Sequence, residues 1–379
     1  MKSVHFVTGA TGFVGAALVL ELLQRTSDDV VCLVRPHGAD VTTRLHDALL
    51  HAARSYGAPE SVIAAVRERC RAVAGDVEQP GCGVAEAEMG SCTQFWHSAA
   101  SLRFEDRYAE EISRVNVQGT AHALELAGRL GATQFNYVST AYVCGSREGT
   151  ILETEQPADV PLNNHYERSK VAAESLVIAD PRFARRIFRP SIVIGHSRTL
   201  AVTNFTGIYG FLRKLNAFQG MMARTQKGLM ARKSVRLRLD VEGTLDLVPI
   251  DRVAANAVTI ALSTKPVAPE IDYYHLTNPH APRTASVVDT MAELTGLSPM
   301  TFVKGNSDFD WLDEQFNSRI DFYASYLNCQ KTFDRKNVVA IVGVEPSEPY
   351  AMSVPILKKY CGWYLDLLKA ERAGLPETR

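Results

Sequence analysis

Tyr166-Glu167-Arg168-Ser169-Lys170 places a phenol and an ammonium at positions i and i+4, neighbours on one face of a helix. That pairing has a chemical use. A phenol with an ordinary pKa of about 10 yields its proton reluctantly at neutral pH, and a nearby cation lowers that value by favouring the phenolate. The motif is short and also occurs on plain surface helices, so its weight comes from what stands before it. Val138-Ser139-Thr140-Ala141-Tyr142-Val143-Cys144-Gly145 follows a strand-like run, and ligands of α/β sheets sit at the carboxyl ends of strands. Two hydroxyls and the tyrosine–lysine helix converge at such an end. An earlier strand closes in small polar residues, His97-Ser98-Ala99-Ala100, suited to lying against a cofactor.

Thr8-Gly9-Ala10-Thr11-Gly12-Phe13-Val14-Gly15 lies between a strand-like run and a helical one, where a glycine-rich turn lets backbone N–H groups meet a pyrophosphate at a positive helix end. Gly9 permits the turn, Gly12 the approach of phosphates, and Gly15 close helix–strand packing. The spacing is one residue off the usual dinucleotide fingerprint, and a purely structural turn is the alternative. About twenty residues beyond Gly15, where an acid would hold the ribose of NAD, stands Arg35. A guanidinium grips a 2′-phosphate that an acid would repel, so NADPH is the expected cofactor, unless Arg35 is merely solvated. Arg44 is a second candidate. Gly75-Asp76-Val77 follows the third strand and puts Asp76 and Val77 at the adenine edge.

The elements that must position these groups alternate up to about residue 195, the pattern of βαβ units around a parallel sheet. Strands are expected at Val4–Val7, Val30–Val34, Arg71–Ala74, Gln94–Trp96, Gln134–Val138 and Arg186–Phe188. The second connection carries two helical patterns, Val41–Arg54 and Glu60–Arg69, where a compact unit has one, and reads as an elaboration on the cofactor side. A strand-like Leu245–Pro249 and a helix over Asp251–Leu262 return to the first domain. The expected fold is α/β, a Rossmann-like doubly wound parallel sheet with a smaller, mainly helical C-terminal substrate lobe. Residues 1–195 plus about 245–280 form the NADP-binding domain, and 196–244 plus 281–379 the lobe.

A chain of 379 residues, 46% of them hydrophobic, exceeds what one compact core usually holds. Its 41 basic and 42 acidic residues give no reason to expect a nucleic-acid partner. The seven cysteines, Cys32, Cys70, Cys82, Cys92, Cys144, Cys329 and Cys361, are scattered and never spaced as C-x-x-C, which argues against a disulfide framework or a metal site and for a reducing cytoplasm. The sequence runs from Met1 straight into strand-like residues, so no signal peptide is expected, and no apolar run is long enough to cross a bilayer.

These motifs resemble the extended short-chain dehydrogenases/reductases. Within them the sequence is similar to the thioester reductase and fatty acyl-CoA reductase branch, to which carboxylic acid reductases and nonribosomal peptide synthetase terminal reductases belong. The resemblance covers nearly all of the first domain. It rests on His97-Ser98-Ala99-Ala100-Ser101-Leu102-Arg103-Phe104, Asn116-Val117-Gln118-Gly119-Thr120 and Tyr137–Val143 in that order. It continues through Arg189-Pro190-Ser191-Ile192-Val193-Ile194-Gly195 and Asp246–Asp251. It implies Thr140 as the carbonyl-polarising hydroxyl, with Ser139 as the fallback, Tyr166 as proton donor, and Lys170 as its tuner and ribose ligand. Asn116 then holds a water of the proton relay, and Pro190, Ser191 and Val193 lie along the cofactor. Cys144 departs from the tyrosine that relatives often carry there.

The chemistry so implied is hydride transfer from NADPH to an acyl thioester, on coenzyme A or a carrier protein, giving an aldehyde, with further reduction to the alcohol left open. A nucleotide-sugar epimerase or a hydroxysteroid-type reductase would keep the same apparatus, and a non-catalytic NADP-binding regulator would have no use for all three catalytic side chains. Cys144 invites the idea of a covalent acyl-enzyme, against the plainer one of a buried small hydrophobe. No acid separates Asp180 from Asp240, while Arg182, Arg185, Arg186, Arg189, Arg198, Arg213, Lys214, Arg224, Lys227, Arg232, Lys233, Arg236 and Arg238 fall between them. Such a patch would steer an acidic carrier protein, or else the cations are dispersed and structurally paired. Phe205, Ile208, Tyr209, Phe211, Leu212, Leu215, Phe218, Met221, Met222 and Met230 recur at near-helical spacing, as an acyl channel or as ordinary core.

Overall fold

The computed structural model describes residues 3–38, 40–85, 90–103, 106–205, 207–225, 234–264, 267–320, 323–328 and 330–373. Phe104, Lys227, Met230, Arg232, Lys233 and Cys329 lie outside the described residues. The first half runs β1 (Val4–Thr8), α1 (Phe13–Arg25), β2 (Asp29–Val34), α2 (Val41–Ser55), α3 (Glu60–Arg69), β3 (Cys70–Ala74), β4 (Gln94–His97), α4 (Ala109–Ile112), α5 (Gly119–Arg129), β5 (Gln134–Val138), β6 (Gly149–Ile151), α6 (His165–Ala179), β7 (Ala184–Pro190) and β8 (Ile192–Ile194). The second runs α7 (Ile208–Thr225), β9 (Arg236–Arg238), β10 (Leu247–Pro249), α8 (Ile250–Ser263), β11 (Ile271–Leu276), α9 (Thr284–Thr295), β12 (Thr301–Val303), α10 (Trp311–Ile320), α11 (Ala324–Leu327), β13 (Lys331–Phe333), α12 (Lys336–Val342) and α13 (Val354–Arg372).

Seven strands form one sheet in the order β11-β7-β5-β4-β1-β2-β3, and every pairing in it is parallel. Parallel sheets are covered on both faces, which is why β2 and β7 are buried almost throughout. The chain moves outward from β1 to β3 and then returns to β4, so the order reverses between β1 and β4. A crevice opens at such a switch point, beyond the carboxyl ends of the strands. The sheet is therefore Rossmann-like, as the alternating pattern implies.

Helix boundaries follow local chemistry. Asp40 caps α2 by accepting from the Thr43 N–H at 3.0 Å, and Leu45 and Leu49 are buried one turn apart. The extra helix of this connection packs with α1 and β3, and carries Arg44 toward Arg35. One face of the sheet and α1, α2, α3 and α8 enclose a core that includes Leu18, Val19, Leu22 and Val258. Fully burying each such side chain is worth about 1.5–3 kcal/mol. The opposite face packs on α5 and α6 through residues such as Ala123, Leu126 and Val177. A separate core joins α7, α9, α10 and α13.

Two features are not legible in the periodicity. The seventh strand, β11, escapes notice because Asp272 and His275 interrupt its apolar run, yet its last four residues are buried. The strand-like stretch near Leu245 does form β10, but it pairs with β8 in a two-stranded ladder outside the main sheet. Farther on, Val338 and Tyr350 pack into the first core, and the Tyr350 hydroxyl accepts from Asn256 of α8 at 3.0 Å. Among the described residues no helix is long and apolar enough to cross a membrane.

Candidate active site

The β1–α1 turn is built around close approaches. Gly9 has a φ of +75°, and a Cβ there would come within 2.6 Å of the Ala99 nitrogen. A Cβ on Gly15 would strike the Gly9 carbonyl and lie 2.7 Å from Ser98 Oγ. Thr8 is wholly buried; its hydroxyl shares a 2.8 Å hydrogen bond with His97 Nδ1 and accepts from the Ala99 N–H at 3.3 Å. Ser98 Oγ donates to the Thr8 carbonyl at 2.8 Å, so the ends of β1 and β4 are tied together. Gly12 stands at the N-cap of α1 with no side-chain cap, and the first turn holds no acid. Its orphan N–H groups and positive end are left for an anion.

Two cavities meet at this turn and share Gly9, Gly12, Ser98, Ala100 and Leu102. The outer one, about 600 Å³, adds Thr11, Arg35, Arg44, Val77 and Ala99. The Arg35 side chain is 65% exposed and only 3.9 Å from Glu78, a surface pair that contributes little and leaves the guanidinium able to turn to a ligand. Arg44 donates to the Arg35 carbonyl. Arg35, Arg44, Arg103 and Arg114 face Glu78 and Glu111 around this cavity, a local surplus of positive charge. Asp76 lines neither cavity; it accepts from the Glu78 N–H at 3.1 Å and closes its own turn.

The inner cavity, about 260 Å³, adds Phe13, Val14, Gly15, Ser139, Thr140, Tyr166, Lys170, Pro190, Ser191 and Val193. Asn164 caps α6 by accepting from the Glu167 N–H at 2.9 Å, and the helix carries Tyr166 and Lys170 on its buried face. Lys170 Nζ donates to the Val138 carbonyl at 2.7 Å and to the Tyr137 hydroxyl at 3.0 Å. Burial lowers its pKa to about 7. The Tyr166 phenol is pushed up, first by burial and then by the Glu167 carboxylate, so it holds its proton at neutral pH. The net shift is upward, opposite to the lowering that the tyrosine–lysine spacing suggests.

Thr140 Oγ1 accepts from the Tyr142 N–H at 3.3 Å and donates to the Pro190 carbonyl at a long 3.5 Å, a bond weak enough to be exchanged for a ligand. Ser139 Oγ is buried with no hydrogen-bond partner. Asn116 lines neither cavity. It sits in a π-helical turn, Ser113–Gln118, where its carboxamide accepts from the Ser101 N–H at 2.7 Å and donates to Ser169 Oγ at 2.9 Å. It thus clamps the chain after β4 to α6.

The profile of the male sterility protein family matches residues 7–257, well over half of the chain and all of the site described so far. The chain belongs to the male sterility protein family. It is 28% identical over 286 residues to a linear gramicidin synthase polypeptide of Brevibacillus parabrevis, covering 73% of this chain and 5% of that protein. It is 29% identical over 296 residues to the large subunit of the L-2-aminoadipate reductase of Penicillium chrysogenum, covering 72% of this chain and 19% of that protein. The chain thus spans a small part of the length of both relatives. Among solved structures, the terminal R domain of the myxalamid PKS-NRPS biosynthetic pathway superposes with a TM-score of 0.73 at 24% identity, over 99% of this chain and 92% of that one, a likeness of fold. A nicotinamide dinucleotide is the cofactor of this family.

In this male sterility family chain, several site residues come from segments that sequence periodicity left blank. Val287 and Val288 of α9, Tyr323, and Tyr326 and Leu327 of α11 complete the inner cavity. No local signal marks them, since they reach the site only through the packing of the lobe. Asp246 is fully buried behind Ser191; it accepts from Ser191 Oγ and, at 2.9 Å, from the Asn278 N–H, and burial raises its pKa to about 6. The near-helical apolar stretch proves to be mostly core, with Tyr209, Leu212, Leu215, Phe218 and Met222 in the lobe's cluster, while Ile208 and Phe211 also line the cavity.

Among the described residues, Arg182, Arg185, Arg186, Arg189 and Arg236 of the basic stretch are taken up by structural partners. Arg189 makes a buried ion pair with Glu174, at 2.7 Å, and Arg186 is fully buried against Gln134, Asn136 and Thr264. Arg185 donates to the carbonyls of Ile178 and Pro269, Arg182 pairs with Asp180, and Arg236 with Asp313. Alternation within β7 is the reason: its arginines point into packed layers where they need partners. Cys144 is fully buried, lines neither cavity and has its thiol pushed up by burial, although Lys331 Nζ lies 3.8 Å away. That is the environment of a packing residue, not of a nucleophile.

Proposed function

We propose that the chain is an NADPH-dependent reductase that converts an acyl thioester, on coenzyme A or on the phosphopantetheine arm of a carrier protein, into an aldehyde. One observation carries the reading: Thr140, Tyr166 and Lys170 line the same cavity as the uncapped start of α1, and that cavity extends among apolar residues of the lobe. In this reading residues 1–195 with about 245–280 bind the cofactor, supplemented by the segment of Val338 and Tyr350, and 196–244 with the remainder of 281–379 bind the acyl group.

The residues fit the cofactor. A Cβ at Gly9 or Gly15 would strike the backbone of Ala99 or Gly9, so the turn stays tight, and the backbone amides of Phe13 and Val14 at the start of α1 would face the pyrophosphate. Thr11, Val77, Ala99 and Ala100 would flank the adenosine half, and Pro190, Ser191 and Val193 the nicotinamide. The surplus of guanidinium groups around Arg35 and Arg44 favours the 2′-phosphate of NADPH. Asp76 would act only by shaping its turn.

The bound reduced nicotinamide supplies a hydride. Thr140 and Tyr166 donate hydrogen bonds to the thioester oxygen as negative charge grows on it. Tyr166 then delivers its proton to that oxygen, a task for which the protonated phenol is the right starting state. Lys170, whose Nζ now donates to the Val138 carbonyl and the Tyr137 hydroxyl, would hold the ribose and steady the phenolate left behind. Asn116 acts through Ser169, which donates to the Tyr166 carbonyl at 2.7 Å, and so fixes the catalytic helix. The hemithioacetal breaks its C–S bond, releasing thiol and aldehyde. A nucleotide-sugar substrate suits the inner cavity less well, because among the described residues its diphosphate would meet no lining cation besides Lys170. The free thiols suit a reducing compartment, and we assign the cytoplasm.

The test is NADPH absorbance with acyl-CoA and acyl-carrier thioesters beside UDP-sugars and ketosteroids. Consumption with the thioesters supports the proposal; consumption only with sugars or ketones replaces it.

A further inference from the structure

Behind Lys170 runs a buried line of polar side chains that lines neither cavity. Lys170 Nζ donates to the Tyr137 hydroxyl at 3.0 Å and stands 4.6 Å from the centre of the Tyr137 ring. Thr120 of α5 is the next hydrogen-bond partner of that hydroxyl. Thr120 Oγ1 lies 3.0 Å from His97 Nε2 at the end of β4, and His97 Nδ1 lies 2.8 Å from Thr8 Oγ1 at the end of β1. Tyr137, Thr120, His97 and Thr8 are all buried.

The hydrogens along this line follow by elimination. Thr120 donates to the Asn116 carbonyl at 2.7 Å, so it meets His97 and Tyr137 as an acceptor. His97 therefore carries its hydrogen on Nε2. Burial brings the pKa of His97 to about 3, so the ring is neutral and Nδ1 accepts from the Thr8 hydroxyl. Burial also pushes the Tyr137 phenol well up, and it keeps its proton. With that proton turned to Thr120, the Tyr137 oxygen offers a lone pair to Lys170. Glu174, the carboxylate that acts on Lys170 from α6, is taken up by Arg189 of β7 at 2.7 Å.

We infer that Tyr137 is a positioning residue for Lys170: with the Val138 carbonyl it takes two of the three ammonium hydrogens and leaves the third for the cofactor in the cavity that Lys170 lines. The inference rests on the proposed assignment of Lys170 as ribose ligand and names what holds and charges that lysine. Tyr137 acts through Lys170 alone, by favouring the ammonium over the free amine. Thr120 and His97 fix the direction of its hydroxyl.

The experiment measures NADPH binding to the full chain by titration calorimetry at pH 7 and pH 5.5, in buffers of differing ionisation enthalpy. Tyr137→Phe keeps the ring and removes the acceptor. Losing one hydrogen bond to a charged group disfavours the ammonium, so the pKa of Lys170 should fall by about one pH unit. At pH 7 the wild type should take up ~0.5 proton per NADPH through this lysine, and the variant ~0.9. The NADPH dissociation constant should weaken about fivefold at pH 7 and less than about 1.5-fold at pH 5.5, where both ammonium groups are largely formed. A merely structural role would weaken binding equally at the two pH values. Thr120→Val, which removes the acceptor of the Tyr137 proton, should move both numbers the same way, and Thr120→Ser should leave them at the wild-type values. That pair carries the test should Tyr137→Phe not fold. Wild-type proton uptake, or an equal change of affinity at both pH values, in folded Tyr137→Phe or Thr120→Val overturns the inference and leaves Lys170 standing as the ribose ligand. Equal uptake by wild type and Lys170→Met overturns the assignment of Lys170 itself.

Discussion

Lys170 offers the sharpest quantitative handle on the site. It is 2% exposed, and burial brings its pKa to about 7 in the ligand-free chain. At pH 8 a group with that pKa is charged in roughly one molecule in eleven. Under the proposed function NADPH would bring several negative charges and ribose hydroxyls to the cavity that Lys170 lines, and an opposite charge nearby favours the ammonium. Binding at pH 8 should therefore take up close to one proton, ~0.9 per NADPH, while binding at pH 5.5, where the ammonium is already formed, should take up almost none through this group. Titration calorimetry in buffers of differing ionisation enthalpy reads this number directly, and Lys170→Met should remove it. The same shift fixes a stability trend. Between about 7 and the ordinary lysine value the unfolded chain binds a proton that the folded chain has released, so this group makes the fold more stable as pH rises through that window. Equal proton uptake by wild type and Lys170→Met at pH 8 would rule out Lys170 as the group that titrates.

Arg35→Glu should weaken NADPH binding by roughly 10- to 150-fold, the range of one lost charge-assisted hydrogen bond, and spare NADH, as judged from the two dissociation constants. Tyr326→Phe deprives the buried Glu167 of one donor, and thioester turnover should fall about tenfold with NADPH affinity unchanged. Cys144→Ala should retain activity within a few-fold, since the thiol lines neither cavity; loss of turnover in a folded variant would revive the acyl-enzyme idea.

Much of the first domain was legible because its signals are local. The glycine turn, the strand ends at His97 and Val138, and the Tyr166–Lys170 spacing are each contained within a few residues, and the sheet brings them to one edge. What sequence could not show is long-range. Tyr137 and Val138 compete for the Lys170 ammonium only because β5 lies beside α6. The arginines of β7 look like a cationic patch along the chain, yet Glu174, Asn136 and Thr264 neutralise or bind them from separate elements. Asn116 looks like a free polar side chain until the π-helical turn aims it at Ser101 and Ser169. The lobe's contribution to the cavity, from Leu245 to Leu327, is a product of packing among α7, α9 and α11 and leaves no motif.

Catalysis as proposed turns on the Tyr166 phenol handing its proton to a reduced carbonyl. The decisive quantity is the single-turnover rate of NADPH oxidation by Tyr166→Phe with a thioester that the wild type consumes, beside the dissociation constant of NADPH. The rate is expected to be lower by about 10²- to 10⁴-fold, the usual worth of a general acid, with cofactor binding unchanged. A phenylalanine variant that reduces the thioester at the wild-type rate would remove the phenol from the chemistry.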